Sequence, residues 1–358
     1  MTDQDVPNFH LQEEKISCWT CLRRQLDEWC CYKSGHDDVY INIMEGGKYP
    51  FSGMPYYSMP MLSDSTIQQA LDVGTCKPGY YSTTYQITIS DVTYAFKKWN
   101  PQMKEYLTDK RYTFKYLLSL KHDNLRMLHS YHPSLGGLLL EYLPFSLREL
   151  LITSESTVPR CLQRLIILKN IIDGLAFLHD CQLVHNNLTS KNILLDETLK
   201  AKLSDGCLDY NLHKMNLDRS TFPIPCHVGK IGYSCQDALA GIIRKSNDIY
   251  SFGAICLEIT SGLQVFEKGR RPPLLKDYLI SSRNQNWKML KDKRISWKMQ
   301  CTKSTFCRPR KKILELAVVC LSDIVRQRPA VIQVQERLEA LIVKSVNESS
   351  KLEKYVPV

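Results

Sequence analysis

The apolar positions change period partway along the chain. Residues 86–99, QITISDVTYAFKKW, are rich in β-branched and aromatic side chains with a polar break at Ser90-Asp91. That is the signature of two strands joined by a tight turn. Residues 101–121 read as helical, and LRMLHSY (125–131) and GGLLLEYL (136–143) as two further strands. After Pro144 the period becomes that of a helix. In RLIILKNIIDGLAFLH, positions 165, 166, 167, 171, 172, 175 and 178 are apolar, a stripe wide enough for a buried helix. IYSFGAICLEITSG (249–262) predicts a second helix with a glycine stop, and 311–325 and 331–346 two more. A β-rich block before a helical block predicts an α+β, bilobal fold with its ligand site in the cleft between lobes.

Residues 1–65 break this pattern. CWTCLRRQLDEWCCYKSG (18–35) reads as a short helix, and the Pro-, Gly- and Tyr-rich stretch after it as irregular. Cys18, Cys21, Cys30 and Cys31 leave three readings open: helix packing, S-acylation beside Arg23 and Arg24, or a four-thiolate zinc site. The adjacent pair Cys30-Cys31 suits tetrahedral zinc poorly. The chain has fourteen cysteines, scattered and partly within apolar runs, which fits reduced, buried thiols. No apolar run approaches the ~18 residues of a membrane helix, and the polar, acidic start does not read as a signal peptide. A cytoplasmic location is expected, with membrane association only through lipidated cysteines.

Charge is concentrated in one place. The net charge is +10, and residues 283–312 hold eleven Lys or Arg against a single acid, Asp292. Two readings stay open, a solvated insert and a docking face for an acidic partner or an anionic surface. Trp287 and Trp297 are ten residues apart, off helical spacing, so they read as anchors onto a core rather than a base-stacking platform. Nucleic acid is therefore disfavoured as a partner.

The candidate chemistry lies in an ordered series of motifs. Gly74-Thr75-Cys76-Lys77-Pro78-Gly79 opens the first strand pair, and Ala95-Phe96-Lys97 follows at strand spacing. LVHNNLTSKNILL (183–195) and AKLSDG (201–206) come next, then SNDIYSFGAICLEITSG (246–262) and RQRP (326–329). This order resembles the eukaryotic protein kinase domain, most closely its tyrosine kinase-like and tyrosine kinase groups. The likeness implies a kinase-like domain over 66–345, with the β-rich lobe about 66–142 and the helical lobe about 143–345. Residues 346–358 would form a tail.

The resemblance also implies roles. Gly74 and Gly79 would approach the phosphates of ATP, and Lys97 (with Lys98 as fallback) would hold them. Ala95 and Leu194 would sandwich the adenine, and the hinge Leu140-Glu141-Tyr142-Leu143 would read it through backbone groups. Asn192 and Asp205 would hold Mg²⁺. His185 and Leu117 would belong to an apolar column between the lobes. Asp248 would tie the loop at 185 to the helical core, and Asp237 would pair with Arg328.

Departures from the family pattern are equally specific. Asn187 stands where the family has a proton-accepting aspartate, and a neutral amide cannot take a proton near neutrality. Asn186 replaces an arginine. Thr113 stands where a glutamate would position Lys97, with Asp109 and Glu105 as weak substitutes. Gly206 replaces an aromatic residue, and Cys76 a glycine. These losses imply a pseudokinase, a kinase fold acting as a signalling scaffold or allosteric regulator of protein partners, with ATP and Mg²⁺ retention left open. The alternatives are a weak or atypical kinase, and an interaction module using 283–312 or the Tyr40-Ile41-Asn42-Ile43 stretch.

Overall fold

The structure is a computed structural model describing residues 62–79, 82–101, 114, 117–153, 158–206, 231–240, 242–281, 291–297, 299–300, 306–307 and 309–353. All of these lie within the unit Leu62–Val358. The cysteine cluster at 18–31 and the Tyr40 stretch lie outside the described residues, as do Thr113, Asp109, Glu105 and Trp287.

The first described element was not expected. Helix α1 (Asp64–Val73) begins inside the stretch that the sequence reading left irregular to residue 65. Ser63 caps it by accepting from the Thr66 backbone N–H, and Ile67 and Leu71 are buried. They pack with Ile87, Ile89, Phe96 and Leu139 of the sheet below. Asp64, in the first turn, accepts from Ser134 and lies 2.6 Å from Nδ1 of buried His132, so the helix start is pinned to the sheet's far side.

Five antiparallel strands follow in the order β1-β2-β3-β5-β4. These are β1 (Thr75–Pro78), β2 (Ser82–Ile89), β3 (Val92–Trp99), β4 (Leu128–His132) and β5 (Gly137–Glu141). The β2–β3 turn falls at Ser90 and Asp91, both with positive φ (48° and 63°). Two positive φ values twist a two-residue turn in the sense that the strands require. Register places Ala95 opposite Leu140 and Lys97 opposite Leu138, so hinge and candidate lysine share one sheet. Of the helix expected over 101–121, Phe114 and 117–119 are described as helical, and Phe114 is fully buried against Trp99 and Tyr131.

A second sheet begins the helical lobe: β6 (Phe145–Ser146), β7 (Ile193–Leu195) and β8 (Ala201–Leu203), in that order. Helix α2 (Leu147–Ile152) is opened by a capping box between Ser146 and Glu149. Helices α3 (Cys161–Asp180) and α5 (Lys245–Ser261) form the core, with the short α4 (Gln236–Leu239) between them in sequence. All but one residue of α5 from Asn247 to Ser261 is buried, so α5 is enclosed on every side, its polar residues Asp248 and Glu258 included. It ends where Gly262 adopts φ 70°, its N–H reaching the Glu258 carbonyl.

Helix α6 (Leu275–Ser281), the short pair β9 (Met299–Gln300) and β10 (Phe306–Cys307), and helices α7 (Pro309–Cys320) and α8 (Val331–Glu353) complete the lobe. The last helix passes residue 345, where the sequence reading placed the start of a tail. No Gly or Pro occurs between 331 and 356 to stop it. Among the described cysteines none is in a disulfide, and Cys161, Cys235, Cys256 and Cys320 are buried. Burial pushes the Cys161 thiol up to about 11 and Cys320 up to about 12, which keeps both as inert thiols. No described helix is long and apolar enough to cross a membrane.

Candidate functional site

The stretch 183–196 runs from the end of α3 into β7, and one buried carboxylate shapes its turn. Asp248, at the start of α5 and 1% exposed, accepts from the backbone N–H of His185 (2.8 Å) and Asn186 (2.9 Å). Its second oxygen also lies 2.9 Å from His179 Nε2 on α3. Asn186 sits at φ 57°, a left-handed conformation that asparagine tolerates better than most residues. The loop is thus held from below by two helices, whatever the chemistry above it.

Above, the residues assigned to chemistry bond to one another. The Asn187 amide donates from Nδ2 to the Asp205 carbonyl at 3.0 Å. Asn192 donates from Nδ2 to the Asn187 carbonyl at 2.8 Å, and the Asn192 carbonyl accepts from the Ser204 N–H at 2.8 Å. A carboxylate at 187 could not make the first of these bonds, because it has no proton to give. Asparagine here serves as a structural donor.

Lys97 Nζ lies 2.8 Å from Asp205 Oδ1. Burial pushes the Asp205 carboxyl up, but Lys97 and Arg126 beside it outweigh this and hold it below the usual carboxylate range. Asp205 itself has φ 60°, a local strain of the kind kept only where the surroundings fix it. Gly206 explains part of that fixing. A Cβ built there would meet His185 Cδ2 at 2.5 Å, so the histidine ring lies where any larger residue's side chain would start. His185, Leu117, Leu128, Lys97, Arg126 and Gly206 help line a cavity of about 90 Å³ behind the Lys97–Asp205 pair.

The hinge is equally self-satisfied. Glu141 N–H donates to the Met127 carbonyl (2.9 Å), and Glu141 Oε2 accepts from the Met127 N–H (3.1 Å). Its other carboxylate oxygen pairs with Lys202. Its carbonyl accepts from Arg126 Nε at 2.8 Å, while Arg126 Nη1 donates to Ser204 Oγ at 3.2 Å. Arg126 was not singled out in the sequence; the available signal was a lone arginine within an otherwise strand-like run. Ala95 is buried on β3, Leu143 is buried after β5, and Leu194 is half-buried on β7. Gly74 and Gly79 flank β1, with Cys76 exposed between them.

These bonds decide how well Mg²⁺-ATP fits. A base amine at the hinge needs an acceptor, and one lone pair of the Glu141 carbonyl is already taken by a guanidinium, whose charge faces any second donor. A metal at Asp205 would have to compete with Lys97 and Arg126; the Asn192 amide donates through Nδ2 to the Asn187 carbonyl, which leaves its oxygen as the atom that would hold a metal. Asn192 and Asp205 are the residues that would hold Mg²⁺, and the Lys97–Asp205 pair and the Arg126 bond to the hinge are the contacts that a nucleotide–metal complex would have to open or share.

One expected pair is not formed. Asp237 lies 3.3 Å from Arg244 Nε instead of reaching Arg328. Arg328 donates to the carbonyls of Ser322 (2.8 Å) and Ser246 (3.1 Å) and stacks over Tyr250. The aspartate is too short to compete with these nearby acceptors. The basic segment also needs correction over 291–297. Asp292 is buried and pairs with Arg164 Nη2 (2.6 Å) and Arg294 Nη2 (2.8 Å), and Trp297 is buried under the Arg164 guanidinium. This part is docked onto α3 rather than solvated.

A family model for protein tyrosine and serine/threonine kinases matches residues 72–338. The chain therefore belongs to that family. It is 29% identical over 321 residues to the probable serine/threonine-protein kinase PBL20 of Arabidopsis thaliana, covering 82% of this chain and 77% of that protein. It is 32% identical over 242 residues to the probable serine/threonine-protein kinase PBL15, and 28% over 231 to the putative L-type lectin-domain containing receptor kinase I.4, both of the same plant. Those matches cover 63% and 62% of this chain, but only 54% and 33% of the two relatives.

Proposed function

We propose that this member of the kinase family is a pseudokinase, whose fold serves as a signalling scaffold or allosteric regulator of protein partners. The single observation that carries this is the Asn187 amide. It fills the position of the proton acceptor and is committed as a donor to the Asp205 carbonyl. Loss of a general base costs roughly 10²–10⁴ in rate. Here it coincides with a candidate phosphate-holding lysine already paired with the candidate metal ligand. In phosphoryl transfer these groups act as one unit, so their losses compound.

The fold needs none of that chemistry to persist. Asp248, the enclosed α5 and the docked Asp292 organise the helical lobe by themselves. A second reading, a weak or atypical kinase, is favoured by the names of the relatives, which are serine/threonine-protein kinases. Incubation of the full chain with labelled ATP, Mg²⁺ and a general peptide substrate separates the two. The pseudokinase reading expects no time-dependent label on chain or peptide; the kinase reading expects both to rise with time.

A further inference from the structure

We propose that Arg126 is the ligand-selectivity residue of this cleft, its guanidinium occupying the hinge acceptor and thereby excluding adenine nucleotides. Arg126 lies at the mouth of β4, its own N–H held by the Leu203 carbonyl of β8 at 2.9 Å. From there its planar fork joins two walls at once, the Glu141 carbonyl at the end of β5 and the Ser204 hydroxyl beside Asp205. A guanidinium suits such a bridge because its donors are fixed in one plane. Every polar group of Glu141 is then satisfied from within the chain: N–H by Met127, carbonyl by Arg126, carboxylate by Lys202 and Met127.

The chemistry of exclusion follows from donors and acceptors. The exocyclic amine of adenine presents N–H. Approaching the Glu141 carbonyl, it meets another donor that carries a positive charge. The carbonyl keeps a second lone pair, but an amine that takes it lies against the guanidinium, and one that takes the place of Arg126 strands a guanidinium that has lost two hydrogen bonds in a partly buried place. A base with a carbonyl at the same position presents an acceptor, which Arg126 can meet without moving. Lys97 and Arg126 both lie beside Asp205, and the net positive charge that they leave would draw the phosphates of either nucleotide alike, so the selectivity rests on the hinge acceptor alone.

The inference rests on the non-catalytic reading, and the two fail differently. Label transfer by the wild-type chain overturns that reading; the binding experiment below overturns this one. Calorimetric titration of the full chain with ATP is compared for wild type, Arg126→Met and Ser204→Ala. Inosine triphosphate, which carries a carbonyl in place of the amine, is titrated in parallel. Arg126→Met is expected to bind ATP at least tenfold more tightly than wild type, with no matching gain for inosine triphosphate. Ser204→Ala, which removes one anchor of the guanidinium and should fold even if Arg126→Met does not, is expected to shift ATP affinity the same way by a smaller factor. ATP affinity within twofold of wild type in the variants overturns the proposal. So does an equal gain for both nucleotides, which would mean that the variant merely opens the cleft.

Discussion

Asn187 is a donor in this structure, and that fixes what restoring a carboxylate would do. Asn187→Asp loses the bond to the Asp205 carbonyl and sets a negative charge beside it and near the Asp205 carboxylate. We expect urea unfolding to show a loss of about 1–3 kcal/mol, with no gain of phosphoryl transfer. Unchanged stability would mean that the Asn187–Asp205 bond contributes nothing. Asn187, Lys97, Asn192 and Asp205 were picked out together in the sequence because they fall in a fixed order of motifs, and the structure brings them into contact. Their partners were not. That Lys97 pairs with Asp205, and that Arg328 prefers the Ser322 and Ser246 carbonyls to Asp237, depends on side-chain reach across elements distant in sequence. Arg126 was missed for the same reason: its acceptors lie 15 and 78 residues away.

At the scale of elements, local periodicity did most of the work. The β2–β3 turn was readable because Ser90 and Asp91 interrupt two β-branched runs, and α5 because an apolar run ends in Gly262. Helix α1 was missed although Ser63-Asp64 is a capping signal and Ile67 and Leu71 lie one turn apart; the irregular composition before it masked a pattern of only two buried positions. The docking of 291–297 was only half legible. Trp297 read as an anchor, but the burial of Asp292 depends on Arg164, 128 residues earlier and 0% exposed. Asp292→Asn leaves that guanidinium buried without its counter-ion, and should cost about 3–5 kcal/mol in a urea melt. Replacing both partners by apolar residues should cost much less than the sum of the single losses. A cost under 1 kcal/mol for Asp292→Asn would show that the segment is not anchored through this pair.

For the molecule as a whole, the switch from period two to period 3.6 foretold two lobes, and the structure adds a proton-linked group at the centre of the helical one. Glu258 on α5 is buried and accepts from Tyr233 Oη at 2.7 Å, while that hydroxyl also lies 2.8 Å from Ser190 Oγ in the 183–196 loop. Burial pushes the Glu258 carboxyl up to about 7, against smaller opposing effects from Tyr233, Ser190 and Arg148. The folded state then binds a proton that the unfolded chain, near 4.5, has released. This contribution to stability is complete below pH 4.5 and is lost as pH rises through 7, by about 3 kcal/mol in all. Asp64, Asp205 and Asp292 are shifted down and act oppositely, losing their contribution as pH falls below the ordinary aspartate range. Chemical denaturation from pH 5 to 8 should show stability falling with pH in wild type and a flatter profile in Glu258→Gln. An unchanged slope in that variant would assign the dependence elsewhere.

The central claim, that this kinase-family chain keeps the fold without the reaction, is tested most directly by a time course of label transfer from ATP. The full chain, its Lys97→Met and its Asp205→Ala variants are compared at equal concentration with Mg²⁺ present. The account predicts a flat trace for all three, on the chain itself and on added peptide. Label that accumulates with time in wild type and disappears in both variants would contradict it.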